Sequence, residues 1–337
     1  MLAASLALVG PRGSHLEWKR LPDLCAPEGL AGSFAGMAGR RVLVVGGSNF
    51  PLKKPWDGGT KVWYDAVYAW KPGDSGWSVV GRLPHPLAYG VSATNRDTVI
   101  CAGGSDADRH YSEVLQVGWN SGRVDVTKLA PLPQPVANGC GALNGSTLYV
   151  IGGQTSPSAL AGNRVFALDL AIKRGQWTEC PPLPGPGRIL AGCGVIGMSL
   201  FVFGGAELFT DGKGGVKRHY LNDAYRYDPK RGWRRLADMP IDLAASPSPV
   251  LSVGDDLVLL GGDDGSQVGV SHEKHTGFSP MELHYRPPTN SWVLSGTLPV
   301  RRATAPVVRM GSRWVLVGGE RQPGIRSPEV WSIEWKR

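Results

Sequence analysis

The sequence predicts an all-β chain folded as a six-bladed β-propeller, and three features predict it. Six Gly-Gly doublets that end apolar runs recur, at Gly46-Gly47, Gly103-Gly104, Gly152-Gly153, Gly204-Gly205, Gly261-Gly262 and Gly318-Gly319, with first members 57, 49, 52, 57 and 57 residues apart. A tryptophan that runs into a Leu-Pro or Met-Pro corner recurs between them. The two ends of the chain carry incomplete repeats that complete one another. With 47 Gly, 27 Pro and 12 Trp among 337 residues, the composition favours short strands and tight turns over helices. A period near 50 residues marks a repeat architecture, so one closed unit over residues 16 to 337 replaces the roughly two domains that length alone suggests.

Each doublet ends a short apolar strand: V-L-V-V, T-V-I-C-A, L-Y-V-I, L-F-V-F, L-V-L-L and W-V-L-V. Glycine there lets the backbone bend where a side chain would collide. A strand with an aromatic follows most doublets, as in V-W-Y-D-A-V-Y-A-W, R-V-F-A-L-D, D-A-Y-R-Y-D and M-E-L-H-Y-R. The outermost strands run from Trp77 to Leu83-Pro84, Trp177 to Leu183-Pro184, Trp233 to Met239-Pro240 and Trp292 to Leu298-Pro299. With the small-residue strand before each doublet, this makes four strands per repeat, one propeller blade. The second repeat departs from the pattern: Trp119 comes early and Val124-Asp125-Val126 serves as the outer strand. The sixth ends at Val330 to Trp335 without a fourth strand, and Leu16 to Pro22 supplies it from the other end of the chain. Such closure removes the open edges of the array.

In antiparallel blades the loops after the doublets and the segments after the Leu-Pro corners emerge on one face, around the channel mouth. The long polar loops there are Ser48 to Lys61, Ala206 to Asn222 and Asp263 to Ser279. The corner segments bring His85, Tyr89, Asn138, Arg188, Arg301 and Arg302 to this face, an array suited to a small anion. Glu320 directly follows the last doublet and points toward the axis. Arg326 lies six residues on, across a Pro323-Gly324 turn, where its guanidinium can hold a substrate carboxylate in a bidentate pair; on the residues alone the two read first as a loop salt bridge and second as a catalytic couple.

A net charge of +8 raises nucleic-acid binding, but the Lys and Arg residues are scattered, and no nucleic-acid partner is expected. No run reaches the roughly 18 to 20 apolar residues of a membrane helix, so no membrane partner is expected. Five cysteines show no metal spacing and cannot all pair; Cys140 and Cys193 read as small buried side chains of equivalent inner strands. His272-Glu273-Lys274-His275 and Asp263-Asp264-Gly265 lack the further ligands of a zinc or calcium site and read as plain loops. Residues 1 to 15 read as a leader, a trimmed export signal or a tag remnant.

The repeat resembles the kelch repeat across residues 16 to 337. The segment G-E-R-Q-P-G-I-R-S-P-E-V-W resembles the catalytic segment of the bacterial N-acetylneuraminate epimerases, also called sialic acid mutarotases, and Gly32 to Gly36 and Ala88 to Ser92 resemble two other regions of that family. In the best-known form of that family the Glu/Arg segment precedes these two regions. Here it comes last, so the chain resembles a cyclically permuted branch. The resemblance implies interconversion of the α and β anomers of N-acetylneuraminate, with Glu320 as acid/base and Arg326 as both catalytic partner and carboxylate binder, and no metal or other cofactor. It also implies the periplasm if an export signal was trimmed, and the cytoplasm otherwise. Substrate contacts are expected from Arg301, Arg302, Arg188, Tyr89 and Asn138 as well. The alternative is a non-catalytic kelch propeller that binds a glycan or protein; a copper oxidase on the same fold would need a Tyr/His/Cys set that the sequence does not assemble. Pairing into a homodimer is left open.

Overall fold

The computed structural model describes residues 14 to 336. Six four-stranded antiparallel sheets form the blades, and the innermost strands are Phe34–Ala38, Val91–Asn95, Cys140–Asn144, Gly192–Ile196, Leu251–Val253 and Val307–Met310. The sixth blade takes its outermost strand from the other end of the chain: His15–Leu21 pairs antiparallel with Val330–Lys336, from His15 opposite Lys336 to Leu21 opposite Val330. The leader expected over residues 1 to 15 lies outside the described residues up to residue 13, and His15 already belongs to the closing strand. Among the described residues the only helix is a single 3-10 turn, Pro55–Asp57, and none is long and apolar enough to cross a membrane.

The doublet strands are continuously apolar because both of their faces are buried. Val42 and Val44 pack toward the sixth blade with Val315 and Val317, whereas Leu43 and Val45 pack toward the second with Val99 and Leu115. Each neighbouring pair of blades therefore shares one core, and six such cores follow one another around the ring. The tryptophans of the outer strands tie blades together at the rim. The indole N–H of Trp77, Trp177, Trp233 and Trp292 donates to Pro22, Ala130, Pro181 and Ala237 respectively, at 2.8 to 3.0 Å.

Every doublet glycine has a positive φ, from 52° at Gly204 to 126° at Gly262. In five blades the second glycine's N–H donates to a carbonyl of the next blade, that of Leu87, Val136, Arg188, Leu243 or Leu30. Closer to the axis lies a continuous circle of backbone hydrogen bonds. Tyr89 N–H donates to Gly32 C=O, Asn138 to Tyr89, Leu190 to Asn138, Ala245 to Leu190, Thr304 to Ala245, and Gly32 to Thr304, all within 2.7 to 3.0 Å. All six residues are left-handed, with φ between 50° and 65°.

One loop departs from expectation. The fourth repeat's long polar loop is mostly a β-ribbon, because Ser199–Thr210 and Val216–Asp228 continue past the doublet after a register shift between Phe203 and Gly205. Alternating residues such as Glu207, opposite His219, and Leu208, opposite Arg218, sustain the pairing.

Two measurements test this architecture. A chain beginning at residue 26 lacks the closing strand; its melting temperature is expected to fall by roughly 10 °C or more, or the cooperative transition to vanish. An undiminished cooperative melt would contradict ring closure. Gly46 and Gly311 have nearly equal φ, 62° and 64°, but a Cβ on Gly46 would lie 2.0 Å from Leu87 O while one on Gly311 meets nothing within 4 Å. In urea denaturation Gly311→Ala should cost about 1–2 kcal/mol of backbone strain, and Gly46→Ala at least twice as much.

Candidate active site

The residue after each doublet forms an isolated bridge with the residue just before the inner circle: Ser48 with Ala31, Ser105 with Ala88, Gln154 with Ala137, Ala206 with Ile189, Asp263 with Ala244 and Glu320 with Ala303. This places six side chains, one per blade, around the channel mouth. Two of them are carboxylates on adjacent blades. The circle residues Tyr89, Asn138, Leu190, Ala245 and Thr304 form the floor of a cavity of about 480 Å³, and Phe50, Lys61, Trp63, Tyr220 and Arg326 stand in its walls.

Glu320 and Arg326 sit opposite each other on a two-stranded ribbon, Glu320–Gln322 with Ile325–Arg326, turned at Pro323-Gly324. Their side chains are 15% and 3% exposed, with Arg326 Nη1 3.3 Å from Glu320 Oε2. Glu320 Oε1 accepts from Thr304 Oγ1 at 3.2 Å, and Oε2 accepts from Gly324 N–H at 3.3 Å. The Arg326 guanidinium lies 4.8 Å from the Phe50 ring centroid and donates through Nη2 to Tyr89 Oη at 3.4 Å. Tyr89 Oη is in turn 2.8 Å from Ser48 Oγ. Nε and Nη1 of Arg326 are covered yet have no hydrogen-bond partner. Donors buried in this way are costly until an acceptor arrives. Neighbouring loops clasp the ribbon: Gly324 abuts Pro55, and Gln322 Nε2 donates to His275 C=O at 2.5 Å.

Of the residues expected to contact a substrate, Tyr89, Asn138 and Arg326 line the cavity with Glu320. The other three arginines are corrections. Arg188 is buried in a bidentate pair with Asp223, at 2.5 and 2.8 Å, beneath the ring of Tyr225. Arg302 is buried against Ser327 and Glu329. Arg301 donates to Thr276 C=O and borders a separate depression beside Gln322 and Trp331. The physical reason for the first two is positional. Arg188 and Arg302 occupy the slot held by Leu30, Leu87, Val136 and Leu243 in the other blades, which points between blades rather than into the mouth. That equivalence is readable from the strings L-A-G, L-A-Y, V-A-N, R-I-L, L-A-A and R-A-T. His85 is likewise engaged outside the cavity, 2.8 Å from Glu113.

Sequence reasoning passed over two walls of the cavity. Lys61 Nζ lies 5.1 Å from the Tyr89 ring and 5.2 Å from that of Trp63, a second cation on the Arg326 side. Asp263, read from sequence only as part of a plain loop, accepts from Tyr220 Oη at 2.6 Å. Its place directly after a doublet was the signal that could have found it. His272 is stacked on Trp56 at 3.9 Å, and His275 Nδ1 accepts from Gly277 N–H. Among the described residues no group of three or more His, Cys, Asp or Glu converges to hold a metal ion. The cavity therefore offers a cationic side, a carboxylate at Glu320, and a second carboxylate with a phenol.

A family model described as N-acetylneuraminate epimerase matches residues 4–126 and 129–269. Similar proteins include N-acetylneuraminate epimerases of Yersinia enterocolitica, 40% identical over 131 residues (34% of this chain, 32% of the relative), and Haemophilus influenzae, 34% identical over 126 residues (33% of each). Another is that of Brucella suis, 36% identical over 135 residues, 35% of this chain and 34% of the relative. The alignments span about a third of these relatives' length. The solved "Structure of YjhT" superposes with a TM-score of 0.69 at 16% identity, over 92% of this chain and 95% of that one, a likeness of fold.

The reassignment of Arg188 is testable. Arg188→Leu leaves Asp223 buried without its cation and should cost about 3–5 kcal/mol in chemical denaturation, whereas Arg188→Met with Asp223→Leu should recover most of that loss. A stability change below about 1 kcal/mol for the single variant would contradict a structural role.

Proposed function

The chain belongs to the N-acetylneuraminate epimerase family, and from this we propose that it interconverts the α and β anomers of N-acetylneuraminate in the cavity at the channel mouth. The observation that carries the proposal is the buried Arg326 guanidinium on the cavity wall, ion-paired with the Glu320 carboxylate through Nη1 but with neither Nε nor Nη1 in a hydrogen bond. A sugar carboxylate satisfies those donors and disperses the charge of a group held almost wholly out of water.

Anomer exchange breaks and remakes one bond. A proton leaves the anomeric hydroxyl, the bond from C2 to the ring oxygen opens, the ring oxygen gains a proton, and the ketone recloses from its other face. Both oxygens are attached to the same carbon, so one carboxylate can reach both. Glu320 takes the proton from one oxygen and returns it to the other. Thr304 Oγ1 and Gly324 N–H orient its two oxygens. Arg326, with Lys61 on the same side, fixes the sugar carboxylate so that C2 faces Glu320. Because the reaction already runs in water, positioning plus one acid/base is a sufficient catalyst.

The same reading takes the chain as a cyclically permuted member. Its support is that the family match ends at residue 269, before the ribbon of Glu320 and Arg326, while the closing strand makes the ring indifferent to where the chain begins.

Anomer equilibration of sialidase-released α-sugar, followed by proton NMR, tests the proposal. Wild type should accelerate equilibration. Glu320→Gln should lower kcat by about 10²- to 10⁴-fold, and Arg326→Ala should raise KM by roughly 10- to 150-fold. An unchanged rate with wild type that still binds the sugar would instead mark a non-catalytic glycan-binding propeller. Acceleration that survives Glu320→Gln would leave the reaction standing and remove Glu320 from it.

A further inference from the structure

We infer that Asp263, held by Tyr220, is the residue that recognises the polyhydroxyl tail of the substrate, and so determines which acidic sugar the cavity accepts. This inference rests on the anomerase reading above and extends it to specificity.

The placement comes from the order of blades. Asp263 holds in the fifth blade the position that Glu320 holds in the sixth, each directly after its doublet and each bridged to the alanine before the inner circle. Arg326 lies on the opposite side of Glu320, over Phe50 of the first blade and beside Tyr89. Around the mouth the order is therefore Asp263, Glu320, Arg326. The sugar has a matching order. Its ring oxygen joins two carbons, C2 with the carboxylate and C6 with the three-carbon hydroxylated tail. When the ring oxygen faces Glu320 and the carboxylate meets Arg326, the tail is directed toward Asp263.

The chemistry of the pair suits neighbouring hydroxyls. Asp263 accepts from Tyr220 Oη at 2.6 Å and, through Oδ1, from Gly265 N–H at 3.0 Å. A carboxylate has about four acceptor positions, so these two bonds fix the group and leave positions for two hydroxyl donors. Burial, with the Asp263 carboxylate next to it, pushes the Tyr220 hydroxyl up to about 12, so the phenol stays a donor at working pH. Gly265 supports the phenol from behind: its φ is 73°, and a Cβ there would lie 2.7 Å from the Tyr220 ring. Arg218 lines the same wall and interacts with the Tyr220 phenol, but no ion pair joins it to Asp263 among the described residues. A carboxylate kept unpaired in a cavity meant for an acidic sugar works against the substrate's own charge unless it faces the sugar's hydroxyl end.

The test compares N-acetylneuraminate with its seven-carbon analogue, whose tail has been shortened by periodate cleavage and borohydride reduction. Affinity by calorimetry and anomer exchange by NMR are measured for wild type, Asp263→Asn, Asp263→Ala and Tyr220→Phe. Wild type should bind the shortened sugar about tenfold or more weakly than the intact one. Asp263→Ala and Asp263→Asn should lose a similar factor on the intact sugar and show little further loss on the shortened one, with Tyr220→Phe between. The inference is overturned if Asp263→Asn or Asp263→Ala suffers the same tail-shortening penalty as wild type, or if wild type does not distinguish the two sugars. If the variants behave as expected in binding while wild type leaves anomer exchange unaccelerated, the tail site stands and the anomerase reading alone falls.

Discussion

The circle of six backbone hydrogen bonds around the axis is the constraint on which the remaining structure depends. Each blade gives one left-handed residue to it, each residue donates to the preceding blade, and the circle closes between Gly32 and Thr304. Five of the six are not glycine, and a left-handed conformation costs such residues about 1–2 kcal/mol each. Structure that over-determines the conformation must hold it there. The interblade cores, the doublet N–H bonds to the next blade and the indole N–H bonds at the rim supply that restraint at three distances from the axis.

The circle also makes the site. Because the chain must turn left-handed just before every inner strand, the preceding residue is free to bridge to the residue after the doublet of its own blade. That bridge fixes a side chain at the mouth in every blade. Glycine is required two positions running, but the residue after it answers to no packing demand common to the blades. Ser48, Ser105, Gln154, Ala206, Asp263 and Glu320 share one backbone environment and differ in side-chain chemistry. The fold supplies the positions, and the side chains at them supply the chemistry.

Charge is apportioned by the same geometry. Arg188 and Arg302 fill slots that are apolar in other blades and are neutralised there by Asp223 and Glu329, so their charges join blades rather than attract ligand. Arg326 is buried as deeply, but its carboxylate partner is held at 3.3 Å without satisfying Nε or Nη1. Arg302 leaves one buried donor, Nε, without a hydrogen-bond partner and Arg188 leaves none, whereas Arg326 leaves two beside an open cavity, a difference that the count of positive charges does not reveal.

The sequence by itself determined the ring: doublet spacing, apolar strands, tryptophan corners and the divided last blade all follow from local rules of backbone freedom and burial, and these act wherever the residues occur. The resemblance of one short segment to the epimerases' catalytic segment also singled out Glu320 and Arg326, because such a likeness is a local property of the chain. Only the tertiary structure decided which other residues share their cavity. Lys61, Tyr220 and Asp263 come from three different blades, and Arg188 and Arg302 turn away into interblade slots. Convergence of that kind depends on the angle between blades and on where each side chain finds its partner, and neither is written in the spacing of residues along the chain.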